Sequence, residues 1–496
     1  MNLVVNLVVN LRPGMRALIL LHRWLGVAFC LLFAMWFATG IVMHFVPFPA
    51  LTEAERFAGL ASIDSAQIAH GPAEAVGSSG LGDTTRIRLL QRSDGPVYLI
   101  SGASRVAALY AADLSDAAVH SQQVALAIAT DYARHWGWSA AAANVAASGL
   151  YDQWTVSERF DRHRPLYRIA LNDGSGTELY VSSATGEIVQ KTTRRERAWS
   201  YVGSVAHWIY PTALRVHPAA WSRLLWWLSL IALVGASAGA LIGTLGVRVE
   251  GARLVSPYSG LQRWHHWLGL CCVLFVLTWI FSGWLSMDDG LLFSTGKHTS
   301  AETRSLTGAP AWKALPSGEI RLLSAPVRDV EWFAFGGRLY RRERIDSDHQ
   351  RLFLVDPADG AASADRAFLR TGEIAAAASR LSPACASPFA VEPGDAYAIV
   401  SIMPGAPVFR LVCGADWFHI DGASGAVLEK LDASRRVYRW LHGALHTLDF
   451  PILTARPELR TSLIVALCGF GFVFSVTGVV IAWRRLKSCF RAPERR

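Results

Sequence analysis

Four runs of the chain contain no Asp, Glu, Lys or Arg and are long enough to cross a bilayer: Trp24–Phe45, Leu224–Val247, Trp267–Met287 and Thr461–Trp483. About 20 apolar residues suffice for a helical span, and a helix satisfies its own backbone polar groups there. Between the runs lie two long segments with shorter periods. In the first, "TRIRLLQRSDGPVYLIS" alternates about a turn, "HSQQVALAIATDYARHW" has helical spacing, and "PLYRIALNDGSGTELYVSSATGEIV" reads as a hairpin closed by a Gly-rich turn. The second repeats that order in "RLYRRERIDSDHQRLFLVDPADG", "TGEIAAAASRL" and "PVFRLVCGADWFHIDGASGAVLEKL".

The repetition extends to spacing. "HRWLGVAFCLLFAMWFATG" (His22–Gly40) matches "HHWLGLCCVLFVLTWIFSG" (His265–Gly283) at an offset of 243. "ATGEIVQ" (Ala184–Gln190) matches "ASGAVLE" (Ala423–Glu429) at an offset of 239, which continues through His207 and His446 to Gly239 and Gly478. The chain therefore reads as an internal duplication, each half being span, external domain, span. Two crossings per half give both halves the same orientation, related by a pseudo-two-fold axis along the membrane normal. The expected fold is a four-helix transmembrane bundle with two α+β external domains. Its parts are 1–50 (N-terminal segment and first span), 51–202 (first external domain), 203–247 (pre-helix and second span), 248–264 (loop), 265–287 (third span), 288–439 (second external domain), 440–483 (pre-helix and fourth span) and 484–496 (tail).

Composition agrees with this reading: 52% of the 496 residues are hydrophobic and 18% charged. The positive charge is placed unevenly. Arg12, Arg16 and Arg23 precede the first span, Arg248, Arg253 and Arg263 lie between the second and third, and Arg484, Arg485, Lys487, Arg491, Arg495 and Arg496 follow the fourth. The positive-inside rule puts these flanks and both termini in the cytoplasm and the long segments outside. They account for most of the net charge of +9, so nucleic acid is not an expected partner; the lipid bilayer is. The first apolar run exceeds a signal-peptide core and no clear A-x-A site follows it, so a retained anchor is expected. Of seven cysteines only Cys385 and Cys413 fall in an external segment, where they can form a disulfide or remain two packed thiols. No nucleotide-binding glycine fingerprint, nucleophile elbow or H-E-x-x-H helix occurs.

The duplication turns single histidines into pairs. His22 matches His265 at the cytoplasmic span ends, and His207 matches His446 just before the second and fourth spans, near the outer surface. Two histidines at equal depth on different helices are what a bis-imidazole haem requires. Three further histidines compete. His44 stands twenty-two residues after His22, on nearly the same helix face, and is an alternative ligand on the outer side. His442 lies one turn before His446, but its counterpart is Gly203. His266 points about 100° away from His265; its counterpart, Arg23, suits it to a propionate or headgroup contact. Trp36 and Trp279, mid-span, can sit between two haems or simply pack. Gly40, Gly239, Gly283 and Gly478 recur in both halves and permit close helix approach or leave room for a flat macrocycle.

"LHRWLGV", the "YVSSATGEIV" hairpin, and "RWLHGALHT" followed by a span ending in "TGVVIAWRR" resemble the PepSY-associated transmembrane family over essentially the whole chain. The resemblance implies PepSY-like periplasmic domains on a bacterial inner-membrane bundle. Some members look like dihaem reductases that pass electrons outward to ferric siderophores, which implies haem b, two per chain, ligated by His22, His265, His207 and His446. Other members carry a fused flavoprotein domain; fewer than fifteen residues follow Trp483 here, so quinol or a separate cytoplasmic reductase is the expected donor and a ferric chelate the acceptor. The alternative is a non-redox protein whose PepSY-like domains bind or regulate a periplasmic peptide, protease or protein partner.

Overall fold

The computed structural model describes residues 12–288, 292–293, 297–316, 326–355 and 366–490. The four apolar runs lie in the helices Arg12–Phe45, Pro218–Gly246, Gly260–Met287 and Pro457–Phe490. All four are long and apolar enough to cross a membrane, and each extends past its uncharged run into flanking polar residues. Proline at the start of the second leaves no helical donor wasted, and Asp288, at φ 35°, ends the third in a left-handed turn. Within the bundle the first span packs against the second and fourth, and the third against the same two. Exchanging the halves maps that set of neighbours onto itself, as a pseudo-two-fold axis requires.

Before the second span a π-helical turn covers Tyr201–Val205, and before the fourth another covers Arg439–Ala444. Each is followed by a residue at positive φ, Ile209 at 46° and Leu448 at 52°, again 239 apart. A β-branched residue there is strained. Wide turns of this kind recur at functional sites, and His207 and His446 each stand two residues after one of them.

The remaining chain forms a globular unit, Pro49–Arg197 with Thr295–Arg436, distinct from the helical unit of Met1–Phe48, Ala198–Ser294 and Val437–Arg496. The first segment supplies β1 (Arg86–Arg92), β2 (Gly95–Ser101), β3 (Val106–Tyr110), β4 (Asn144–Gly149), β5 (Leu166–Ala170), β6 (Glu178–Ser182) and β7 (Ile188–Thr192). A short hairpin, β8 (Arg248–Glu250) and β9 (Arg253–Val255), links the second and third spans. The second segment supplies β10 (Asp329–Phe335), β11 (Arg338–Arg344), β12 (Gln350–Val355), β13 (Phe389–Ala390), β14 (Val408–Cys413), β15 (Asp416–Asp421) and β16 (Val427–Leu431). Strands β4 to β7 and β13 to β16 form two four-stranded sheets in simple succession. The helices Gln122–Trp136 and Thr371–Leu381 cover them with buried Ile128, Ala129 and Ile374.

The two segments between the spans fall in one compact unit. Their first strands join in one antiparallel sheet of order β12-β11-β10-β1-β2-β3. In the β1–β10 pair Arg88 stands opposite Glu331 and Leu89 opposite Val330. Ile87, Leu89, Tyr98, Ile100, Val330 and Trp332 from both segments share one buried core. Edge strands left bare would expose a row of unpaired backbone groups, and the fusion removes one edge from each half.

Charge specifies the partner. Arg86 and Arg88 of the first half occupy the repeat positions of Asp329 and Glu331 in the second, at the 243-residue offset. Arg88 pairs with Asp329 at 2.7 Å and Arg86 with Glu331 at 2.6 Å. Two copies of the first half would oppose arginine to arginine at this seam, and two copies of the second would oppose carboxylates, so only unlike halves match. Cys385 and Cys413 are disulfide-bonded beside the edge of β14.

Candidate functional site

The histidines matched by the duplication lie in the helical unit. The His22 and His265 rings lie 6.5 Å apart, centre to centre, with 37° between their planes. Both line a cavity of about 750 Å³ among the four spans, together with Arg23, Phe33, Arg484 and Arg485. The other two, His207 and His446, lie just after the two π-helical turns.

A glycine stands against every one of these rings. A Cβ on Gly239 would lie 2.4 Å from Cε1 of His22, and one on Gly478 3.4 Å from Cε1 of His265. A Cβ on Gly40 would lie 3.8 Å from Cε1 of His207, and one on Gly283 3.4 Å from Cε1 of His446. The recurring glycines therefore make room for imidazoles of the same half, two carried on the first and third spans and two just before the second and fourth.

The ring nitrogens are equally ordered. His22 Nδ1 donates to the Gly235 carbonyl at 3.0 Å. His265 Nδ1 bonds Thr477 Oγ1 at 2.8 Å, and that hydroxyl spends its only proton on the Phe474 carbonyl at 2.6 Å. His207 Nδ1 bonds Thr39 Oγ1 at 2.9 Å, while that hydroxyl donates to the Met35 carbonyl at 2.7 Å. His446 Nδ1 bonds Ser282 Oγ at 3.0 Å, and Ser282 donates to the Trp279 carbonyl at 3.0 Å. A carbonyl has no proton to give, and a hydroxyl whose proton is committed can only accept. His22 and His446, with a carbonyl at Nδ1, therefore carry their proton there, and the hydroxyl-to-carbonyl bonds of Thr39 and Thr477 support the same tautomer at His207 and His265, which leaves a lone pair on Nε2. Among the described residues no hydrogen bond engages any of these four Nε2 atoms.

The competing histidines are used differently. His266 is buried with both nitrogens committed, Nδ1 to Ser256 Oγ and Nε2 to the Gly243 carbonyl, each at 2.8 Å. It clamps the loop between the second and third spans and lines the same cavity as His22 and His265. His44 pairs its Nε2 with Thr461 Oγ1 at 2.9 Å. His442 stacks between His446 and Tyr438, at 5.3 and 5.0 Å.

Between the two pairs the bundle is aromatic. Phe37 touches Phe275 and Trp279 at 6.2 and 6.0 Å, and Phe33 touches Trp36 at 6.2 Å. Trp36 donates its indole proton to the His207 carbonyl at 3.0 Å. No group of three or more His, Cys, Asp or Glu side chains able to hold a bare metal ion occurs among the described residues. Two imidazoles are too few for such an ion, which takes about four protein or water ligands.

The sequence reading names the four histidines and four glycines but not the hydroxyls. A signal for them exists: Thr39-Gly40, Ser282-Gly283 and Thr477-Gly478 each put a hydroxyl immediately before the glycine, and Ala238-Gly239 is the exception. No protein-family model matches the chain, and no curated protein matches its sequence.

Proposed function

We propose that this protein is a dihaem electron carrier of the inner membrane that reduces a periplasmic ferric chelate, of the PepSY-associated type. The observation that carries this reading is the state of the four matched imidazoles: proton fixed on Nδ1, Nε2 open, a glycine against each ring. For the His22–His265 pair the spacing also fits. A metal–nitrogen bond of about 2.0 Å and roughly 1.1 Å more to each ring centre place two axial imidazoles ~6.2 Å apart, against 6.5 Å between these rings.

Haem b, when bound, supplies a one-electron Fe(III)/Fe(II) couple on each side. His22 and His265 would hold the haem of the cytoplasmic side, and His207 and His446 that of the periplasmic side. Arg23, with a buried Nε that has no partner among the described residues, lines the cavity with Arg484 and Arg485 and suits propionate carboxylates. Phe33, Trp36, Phe37, Phe275 and Trp279 exclude water between the pairs. Quinol or a separate cytoplasmic reductase gives the electron, and a ferric chelate accepts it and becomes ferrous, with no bond to protein made. The disulfide of Cys385 and Cys413 supports an oxidising compartment for the globular unit, and the arginine-rich span flanks support cytoplasmic termini.

The test is the visible spectrum of protein purified after expression with adequate haem, with a pyridine-haemochrome count. Two extractable b haems per chain, oxidised by a ferric chelate, are expected. A colourless protein would overturn the proposal and favour a non-redox role for the globular unit.

A further inference from the structure

Two of the three hydroxyls preceding the glycines, those of Thr39 and Thr477, have a role that follows from the one site lacking such a hydroxyl. Where Ala238 stands, His22 reaches the backbone directly, bonding the Gly235 carbonyl at 3.0 Å, and its Cε1 comes within 2.4 Å of the Gly239 Cβ position. Where Thr477 stands at the same repeat position, the Phe474 carbonyl is the counterpart of Gly235 at the 239 offset. There the hydroxyl is interposed, taking the Nδ1 proton at 2.8 Å and passing its own to Phe474 at 2.6 Å. His265 accordingly stands farther off, 3.4 Å from the Gly478 Cβ position. Thr39 interposes in the same way for His207, whereas His446 Nδ1 bonds Ser282 Oγ at 3.0 Å and also reaches the Trp279 carbonyl directly at 3.3 Å.

We infer that Thr39 and Thr477 are positioning residues that hold His207 and His265 off the helix as the Nδ1–H tautomer and set how strongly Nε2 donates to haem iron. This rests on the dihaem reading above. A hydrogen bond from Nδ1–H raises the basicity of the opposite nitrogen, and such outer partners tune a bound metal. Electron donation to iron favours the ferric state, so removing the acceptor should raise the reduction potential of that one haem. Each acts through the histidine whose Nδ1 it bonds.

Thr477→Val removes the hydroxyl at nearly constant volume, and Thr477→Ser restores it. Haem content, the low-temperature EPR of the oxidised protein and a potentiometric titration of both haems are read together. The expected result for Thr477→Val is an unchanged two-haem count, an upward shift of one midpoint and an altered low-spin EPR signal at that haem only. Thr477→Ser should behave as the parent. Identical midpoints and EPR in Thr477→Val, or an equal shift in Thr477→Ser, would overturn the inference. If Thr477→Val fails to accumulate, Thr39→Val makes the same test at the other pair with the same two outcomes. A parent protein without haem would defeat the dihaem reading instead, and is distinguished by the count alone.

Discussion

Replacing Gly239 by alanine is the sharpest single perturbation of the proposed cytoplasmic site. The added methyl would lie 2.4 Å from Cε1, 2.7 Å from Nδ1 and 3.2 Å from Nε2 of His22. Carbon atoms rest at about 3.5–4.0 Å, so the ring must retreat by at least ~1 Å. A ligating constellation tolerates roughly 0.5 Å, and the same retreat stretches the 3.0 Å bond to Gly235 beyond hydrogen-bonding range. Overpacking of this kind costs about 1–3 kcal/mol, or about a 5- to 150-fold loss of the ligated arrangement. Gly478→Ala is the internal comparison, because its methyl would meet His265 at 3.4 Å, near ordinary contact. Gly471→Ala controls for crowding alone, since its methyl would strike Phe37 at 2.5 Å and no histidine. The assay is the pyridine-haemochrome count with the split of the reduced α bands. One low-spin haem per chain is expected in Gly239→Ala and two in both comparison variants. Two low-spin haems in Gly239→Ala would refute the placement of His22 as a ligand.

Other outcomes are equally specific. His22→Ala and His265→Ala should each remove the same haem, whereas His266→Ala should spare it and cost only the roughly 1–3 kcal/mol of its lost clamp, read by haem count and thermal melting. His207→Ala should abolish low-spin character at the second haem while His44→Ala retains it; His446→Ala should also stop external ferric-chelate reduction with the first haem still reducible. Acidification should weaken the globular unit at the seam between β1 and β10. Burial would raise the Asp329 carboxyl, but the Arg88 and Arg56 guanidiniums more than offset it and hold it well below the usual carboxylate range. A depressed carboxylate contributes stability that is full above its unfolded value near 3.9 and lost as pH falls further. Near-UV circular dichroism melts of the full chain should thus drop below about pH 4. Asp329→Asn should lose about 3–5 kcal/mol at neutral pH and flatten that dependence; an unchanged pH profile would contradict the seam's role.

The one-dimensional record carries whatever repeats locally. An apolar run of span length can be read without knowing its neighbours, because the bilayer, not a partner, sets the length. Constant offsets of 243 and 239 likewise survive in the chain, and they pair His22 with His265 and His207 with His446 before any contact is known. Distance in space is different, since it depends on how helices and strands meet. That β1 joins β10 involves residues some 240 apart, and the alternating pattern of each strand is the same whether its edge is bare or paired. Only in the assembled sheet do Arg88 and Asp329 become a complementary seam. The glycines recur visibly, but the sequence leaves open whether they admit a helix, a macrocycle or a ring; helix packing decides for the imidazoles. His265 and His266 are indistinguishable as letters, and a rotation of about 100° along one helix sends the first to Thr477 and the second to Ser256 and Gly243. The proton on Nδ1 is decided last, by which oxygen lies across the interhelical gap.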